Sequence, residues 1–505
     1  MQNKLSYIVI ACFIIASCSK ENNLEPEVVS DEPQVELNNE PPENFQVTIS
    51  EIRFNKANIY WPIVRDPEND KVLYSIYLNG ILIEEKIEST FYSFENLVEL
   101  TSYVGKVVAT DESGNYSEAK FELETPKYYH TFQNIIKYND KIINPSYTVI
   151  SNDDNQMVFA ATFTPNYDSS QQEVLIYKMN FDGNVIWVKH YPEFTTPGLV
   201  KVRETSDNGF IVITYLHIIK LNKDGDIEWF KTLDCDPLDC EVVDACSTND
   251  GGYIILGRKD NSRDLMLDTN VEVRVSLMKL NQNGEFVWEK KYGNTFQQFP
   301  KSIIGNKDNT YTFLASIEVS GRTYQSFLDN VPDDINIWLV TIDEYGNIVW
   351  EKDFGGIEDD NPQFLIKTSN DDFVVAGYST FSTRGHRHIF KISKSGEKIW
   401  SDILRLGETD SSFFVTETND GGYLTTGTFN LGSVNDYLAI LKYDNNGYLE
   451  WKRTYNDSYA TNGKWIIEDN NGQFIMPFYM GSLYGEKNMF IVKSDPFGNF
   501  GDFYE

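Results

Sequence analysis

Cysteine is scarce in this chain, five in 505 residues, and no two cysteines are adjacent or at Cys-x-x-Cys spacing. That excludes the usual tetrahedral zinc site, which needs four ligands at short paired spacings. It also excludes chemistry built on a disulfide between neighbouring cysteines. Basic side chains are in deficit: 43 Lys and Arg stand against 76 Asp and Glu, a net charge of −33. Such a chain repels nucleic acid and anionic lipid surfaces, so a nucleic-acid partner is excluded and the acidity reads as a solvated surface. No apolar run reaches the roughly 20 residues that cross a bilayer. What is abundant is aromatic: Tyr 30, Phe 32 and Trp 9. These types suit strands better than helices, so an all-β fold is expected, in more than one unit at this length.

The first segment is the most specific. Lys4 supplies a positive start, Leu5 to Ala16 an apolar run, and Ile15-Ala16-Ser17-Cys18 closes it, the pattern of a cleaved export signal. Its ending resembles the lipobox of bacterial lipoproteins, which implies that residues 1–17 are removed and Cys18 becomes the lipid-bearing N-terminus. Lys20 and Glu21 behind it resemble the surface-export signal of Bacteroidetes lipoproteins. The implied location is the outer membrane, lipid-anchored, at the cell surface, with a periplasm-facing orientation as the alternative. In an oxidising compartment Cys235 and Cys240 are expected to pair across Asp-Pro-Leu-Asp, leaving Cys246 as a buried thiol.

Residues 18–44 carry Glu21, Glu25, Glu27, Asp31, Glu32, Glu36, Glu40 and Glu43 against Lys20, with four prolines. Such a segment cannot bury a core, and it reads as a self-repelling acidic tether reaching at most about 85 Å. From 45 to 126 short alternating runs take over. Ile59-Tyr60-Trp61 and Leu73 to Leu78 flank a polar loop, Asn79-Gly80 marks a hairpin, and Tyr103 to Ala109 leads into Asp111-Glu112-Ser113-Gly114-Asn115. This order resembles fibronectin type III domains, with a core tryptophan early and a Tyr-x-x-x-Val-x-Ala strand late. The resemblance implies a β-sandwich.

Residues 127–505 repeat. A turn glycine is followed four residues later by tryptophan at Gly183/Trp187, Gly225/Trp229, Gly284/Trp288, Gly346/Trp350, Gly396/Trp400 and Gly447/Trp451; a seventh turn, at Gly498, lacks the tryptophan. Alternating strands flank each turn. A second hairpin turns at Asp207-Asn208-Gly209, Asp250-Gly251-Gly252, Asp308-Asn309, Asp371-Asp372, Asp420-Gly421-Gly422 and Asn471-Gly472, with Asp154-Asn155 as a degenerate copy. Four strands in roughly 54 residues suit a propeller blade, which needs radial neighbours to bury both faces. A seven-bladed β-propeller is expected, with Trp187, Trp229, Trp288, Trp350, Trp400 and Trp451 as wedges between blades. Lys279-Leu280-Asn281-Gln282-Asn283-Gly284-Glu285-Phe286-Val287-Trp288 resembles the tryptophan-docking motif of quinoprotein-like (PQQ-like repeat) propellers. That fold hosts enzymes, scaffolds and binding proteins alike.

If the two tight turns close the first and second hairpins of each blade, they share one face, and the longer, variable connections share the other. Ligand contacts are expected among the latter. Their candidates are Phe296, Phe299, Tyr324, Phe327, Phe381, Tyr455 and Tyr459. His386 and His388 share a strand face but have no third ligand nearby, so no metal and no cofactor is expected. The leading function is a non-catalytic binding lipoprotein that engages a glycan or another protein. The alternatives are a propeller glycoside hydrolase or lyase, which needs paired carboxylates, and an outer-membrane assembly scaffold.

Overall fold

The computed structural model describes residues 39–136, 143–151, 156–163, 172–196, 200–234, 240–260, 273–293, 298–318, 335–355, 359–381, 384–407, 409–430, 436–455, 460–463, 465–481 and 487–499. Every regular element among them is a strand. The chain divides into two compact units between Tyr128 and Tyr129.

The first unit holds two antiparallel sheets. One is three-stranded, ordered Thr48–Arg53, Lys56–Tyr60, Phe91–Phe94; the other is four-stranded, ordered Ile81–Ile87, Leu73–Leu78, Ser102–Thr110, Tyr116–Glu124. The strands Lys56–Tyr60, Leu73–Leu78, Ser102–Thr110 and Tyr116–Glu124 alternate in burial, and the inward residues of the two sheets form one core: Ile59 and Phe94 from the first, Ile76, Val107 and Phe121 from the second, with Trp61 edge-on to Tyr74 at 5.4 Å. The Tyr103 hydroxyl accepts the Val98 N–H at 2.7 Å.

The second unit contains seven antiparallel sheets, numbered in chain order. Sheet 1 runs Ile143–Ser151, Gln156–Phe163, Gln172–Asn180, Val185–Thr196. Sheet 2 runs Lys201–Glu204, Phe210–Ile213, His217–Leu221, Ile227–Thr232, and sheet 3 Cys240–Ser247, Tyr253–Asp260, Val273–Leu280, Phe286–Tyr292. Sheet 4 runs Gln298–Gly305, Tyr311–Glu318, Ile335–Ile342, Ile348–Phe354, and sheet 5 Asp360–Lys367, Phe373–Phe381, Arg384–Ile392, Lys398–Leu404. Sheet 6 runs Thr409–Glu417, Tyr423–Asn430, Asp436–Tyr443, Leu449–Tyr455. Sheet 7 takes Ala460–Gly463, Phe474–Gly481 and Lys487–Lys493 from the end of the chain and its outer strand, Phe132–Ile136, from the beginning of the unit.

The first strands of sheets 1 to 6 touch their neighbours in succession, and the first strand of sheet 1 touches sheet 7. Repeated four-stranded sheets joined in this way are consistent with a β-propeller. The middle strands are buried on both faces because alternate residues serve opposite neighbours: Tyr253 and Ile255 pack toward sheet 2, Ile254 and Leu256 toward sheet 4. The outer strands are half-wet, as in Leu449–Tyr455.

Each outer hairpin turns on a glycine with φ between +76° and +85°, from Gly183 to Gly498. In six of the seven the residue three before it accepts two backbone N–H bonds, as Asn281 Oδ1 does from Asn283 and Glu285; at Gly396, Ser393 accepts one, from Glu397. The tryptophan of one sheet lies against the turn glycine of the next. A methyl group on Gly284 would come within 2.7 Å of Trp229, one on Gly346 within 3.0 Å of Trp288, and one on Gly498 within 3.4 Å of Trp451. The turn without its own tryptophan is resolved at the closure. Phe132 pairs with Lys493 as Trp451 pairs with Lys442, and it lies 2.7 Å from where a Gly183 methyl would sit. The seventh wedge is thus a phenylalanine supplied by the other end of the unit. Gly284→Ala combines a forbidden φ with this close approach and is expected to cost about 1–3 kcal/mol, read as a lowered midpoint in urea.

Candidate functional site

The tight turns of both hairpins lie at one end of the sheets, so the loop connections lie at the other, where the first strand of each sheet begins. Of the residues singled out for ligand contact, Phe299 sits half-buried on the first strand of sheet 4 and Phe381 ends the second strand of sheet 5. Tyr455 is committed to the contact between sheets 6 and 7, its hydroxyl donating to the Gly498 carbonyl at 2.8 Å, as Tyr292 does to Gly346. Phe296, Tyr324, Phe327 and Tyr459 lie outside the described residues. Cys240 is disulfide-bonded and Cys246 is a buried free thiol whose pKa burial pushes up to about 12. Cys235, the partner expected from spacing, and Cys18 lie outside the described residues.

Sequence reasoning did not single out the polar cluster on the axis. In sheets 3 to 6 the first strand shifts register, between Val242 and Asp244, Pro300 and Ser302, Pro362 and Phe364, Ser412 and Phe414. Such a bulge re-aims the side chain that follows it. Asp244, fully buried, then receives Arg203 through two bonds of 3.0 and 2.7 Å, the Ser302 hydroxyl at 3.0 Å and the Ile303 and Ala245 N–H groups at 3.2 and 2.9 Å. Lys201 stands 3.6 Å away.

Two further contacts join sheets that are not neighbours. Lys201 of sheet 2 donates to the Lys301 carbonyl of sheet 4 at 2.7 Å, and the Arg203 guanidinium lies 5.4 Å from the ring of Phe364 in sheet 5. Phe364 in turn lies 4.5 Å from Phe414 of sheet 6. Side chains therefore fill the axis at this level. Burial alone would raise the Asp244 pKa, but Arg203 and Lys201 hold it at about 2; burial lowers Lys201 to about 8 against the pull of Asp244.

Nearer the loop end, Asp360 and Asp410 are buried carboxylates. Asp360 faces His388 Nδ1 at 3.3 Å, and Asp410 Oδ2 accepts the Gly407 and Leu406 N–H groups, the former at 3.1 Å. Burial raises the pKa of Glu241, with Arg258 opposing it. Arg387 is 2% exposed, and its guanidinium has no hydrogen-bond partner among the described residues. Gly427 makes room for it, since a methyl there would come within 3.0 Å of Nη1. Burial lowers its pKa to about 10, Asp410 and Tyr443 opposing. Perturbed buried charges cluster at functional sites and also occur in structural ion-pair networks. Among the described residues no group of three His, Cys, Asp or Glu converges as a metal site would require.

No family model matches the chain, and no curated protein matches it. Solved structures give distant likenesses. A protein of unknown function from Bacteroides caccae is 14% identical, with a TM-score of 0.36 over 56% of this chain and 90% of that one. Kuenenia stuttgartiensis hydrazine synthase is 12% identical, with a TM-score of 0.38 over 55% and 75%. A Penicillium chrysogenum alpha-L-arabinanase, solved with arabinobiose, is 12% identical, with a TM-score of 0.40 over 63% and 99%.

Proposed function

We propose that this chain is a lipid-anchored, surface-exposed binding protein, tethered through Cys18. A fibronectin type III-like sandwich at 45–126 acts as spacer, and a seven-bladed propeller at 127–505 engages a glycan or a protein through its loop end. The observation that carries this reading is the filled axis. With Arg203, Asp244 and Phe364 meeting at its centre, the ring is a rigid platform beneath variable connections, the arrangement in which loops hold ligands at little cost to a core. The sandwich rests on its two sheets sharing one core, with the strand orders given above.

A propeller hydrolase would need two free carboxyl groups facing one pocket. Asp244 is held by Arg203 and two backbone N–H groups, Asp360 faces His388, and Asp410 accepts backbone N–H groups. These pairings favour binding over turnover.

Two experiments test the proposal. Cys18→Ala is expected to move the protein from the membrane fraction to the soluble one; unchanged membrane retention contradicts the anchor. The purified chain on a polysaccharide panel is expected to bind without releasing reducing ends, and sustained turnover contradicts the non-catalytic reading.

A further inference from the structure

The five sheets numbered 2, 3, 5, 6 and 7 carry a buried lysine opposite their wedge: Lys220, Lys279, Lys391, Lys442 and Lys493. Each ammonium reaches a carboxylate of the neighbouring hairpin turn, as Lys220 reaches Asp207 at 2.9 Å and Lys493 reaches Asp469 at 2.8 Å. Sheet 4 departs from the pattern. Thr341 stands opposite Trp350, and its hydroxyl bonds Thr312 at 2.8 Å. The turn carboxylate of Asp308 is taken instead by the Thr310 hydroxyl at 2.6 Å. Where the other sheets bury a four-carbon stem and its ammonium, sheet 4 leaves a cavity of about 460 Å³ between itself and sheet 5, open at the tight-turn end. That is within the size of small-molecule sites, roughly 300–1,000 Å³.

Its lining has a definite chemistry. Trp350, Val349 and Phe373 give an apolar wall. Lys307, Lys367 and Lys394 face two carboxylates, Asp308 and Asp371. Lys307 and Lys367 both approach Asp371, at 3.2 and 3.7 Å, while Lys394 has no ion-pair partner among the described residues. The mouth is therefore locally positive in a chain whose net charge is −33. Asn306, also in the lining, keeps a buried carbonyl oxygen with no hydrogen-bond donor among the described residues. Buried acceptors left in this way ask for a donor.

We propose that this cavity is a binding site for an acidic sugar, a uronate unit of a glycan. Its carboxylate meets the lysines, its ring lies along the Trp350 and Val349 wall, and its hydroxyls donate to the aspartates. The site lies at the opposite end of the sheets from the loop connections, so it stands or falls independently of ligand capture there.

The test is calorimetric titration of the full chain with digalacturonate and, as control, its dimethyl ester, which keeps the rings and removes the charge. The acid is expected to bind and to weaken as salt rises, with the ester weaker by about tenfold or more. Thr341→Lys supplies the side chain that five other sheets carry, so it is expected to fold, fill the cavity and abolish binding. Lys394→Gln, at an exposed turn, is expected to weaken binding by about three- to tenfold and serves where the first variant does not fold. No binding of the acid at millimolar concentration, equal affinity for acid and ester, or wild-type affinity in a folded Thr341→Lys variant or in Lys394→Gln overturns the proposal.

Discussion

A chain beginning at Tyr138 is expected to lose cooperative folding of the second unit, whereas one beginning at Lys127 keeps it. The eleven-residue difference contains the outer strand of sheet 7, Phe132–Ile136. Without it the strand Lys487–Lys493 becomes an open edge, Gly183 loses the ring that covers it, and Gln473 loses the His130 carbonyl it holds at 3.0 Å. Breaking a ring at one point also removes the constraint that holds sheet 1 against sheet 7, so the expected loss is on the order of the whole net stability of a domain, about 5–15 kcal/mol. The exposed edge adds a template for aggregation. Thermal unfolding and gel filtration of the two chains check this: one sharp transition and a monodisperse peak for the longer, a broad transition and soluble aggregate for the shorter.

The second large effect is expected at Asp244. Replacing it with alanine leaves the buried Lys201 and the half-buried Arg203 without this carboxylate and removes the acceptor for Ser302 and the Ile303 N–H. Breaking a buried charge cluster from one side costs about 3–5 kcal/mol, measured as a shift of the urea midpoint. The pH dependence has a definite sign. The folded pKa, about 2, lies below the ordinary 3.8, so the folded state binds the proton less readily than the unfolded one. The carboxylate's contribution is complete above pH 4 and is lost as pH falls through 4 toward 2, amounting to about 2–3 kcal/mol. Asp244→Asn is expected to be less stable at neutral pH and to show a flatter profile across that window. A profile unchanged from wild type would mean that Asp244 is not the buried hub described above.

The legible parts of this fold are those fixed by local constraints. A glycine forced to positive φ and a tryptophan four residues on are both set within one hairpin, so the repeat can be read from the chain without knowing what packs on it. The expected strand pattern around Trp61 and Tyr103 is local in the same sense. The seventh wedge was not legible at its turn, because the strand that would carry it after Gly498 comes instead from Phe132, at the other end of the unit. The buried lysines could be read as strand residues, but their carboxylate partners lie on a different hairpin, so the substitution at Thr341 had no visible consequence.

The axial cluster was hidden for a related reason. Arg203 and Asp244 are 41 positions apart, and nothing in either segment marks them as partners until the ring brings the first strands together. Arg387 reads as one more polar residue between two histidines, and only the folded packing buries its charge beside Gly427 and Asp410. Connection length alone marks the aromatic loop residues as exposed. Tyr455 shows the weakness of that criterion, since a ring at a strand end serves a neighbouring turn just as well.

The strand Phe132–Ile136 closes the ring by pairing with Lys487–Lys493. Native-state amide hydrogen exchange reads it directly, since amides of a closing strand open only with the unit as a whole. Peptides covering Phe132–Ile136 and Lys487–Lys493 are expected to be protected to the same degree and to lose protection together as urea is raised. Rapid exchange of Phe132–Ile136, as from a free tail, beside a protected Lys487–Lys493 would contradict closure.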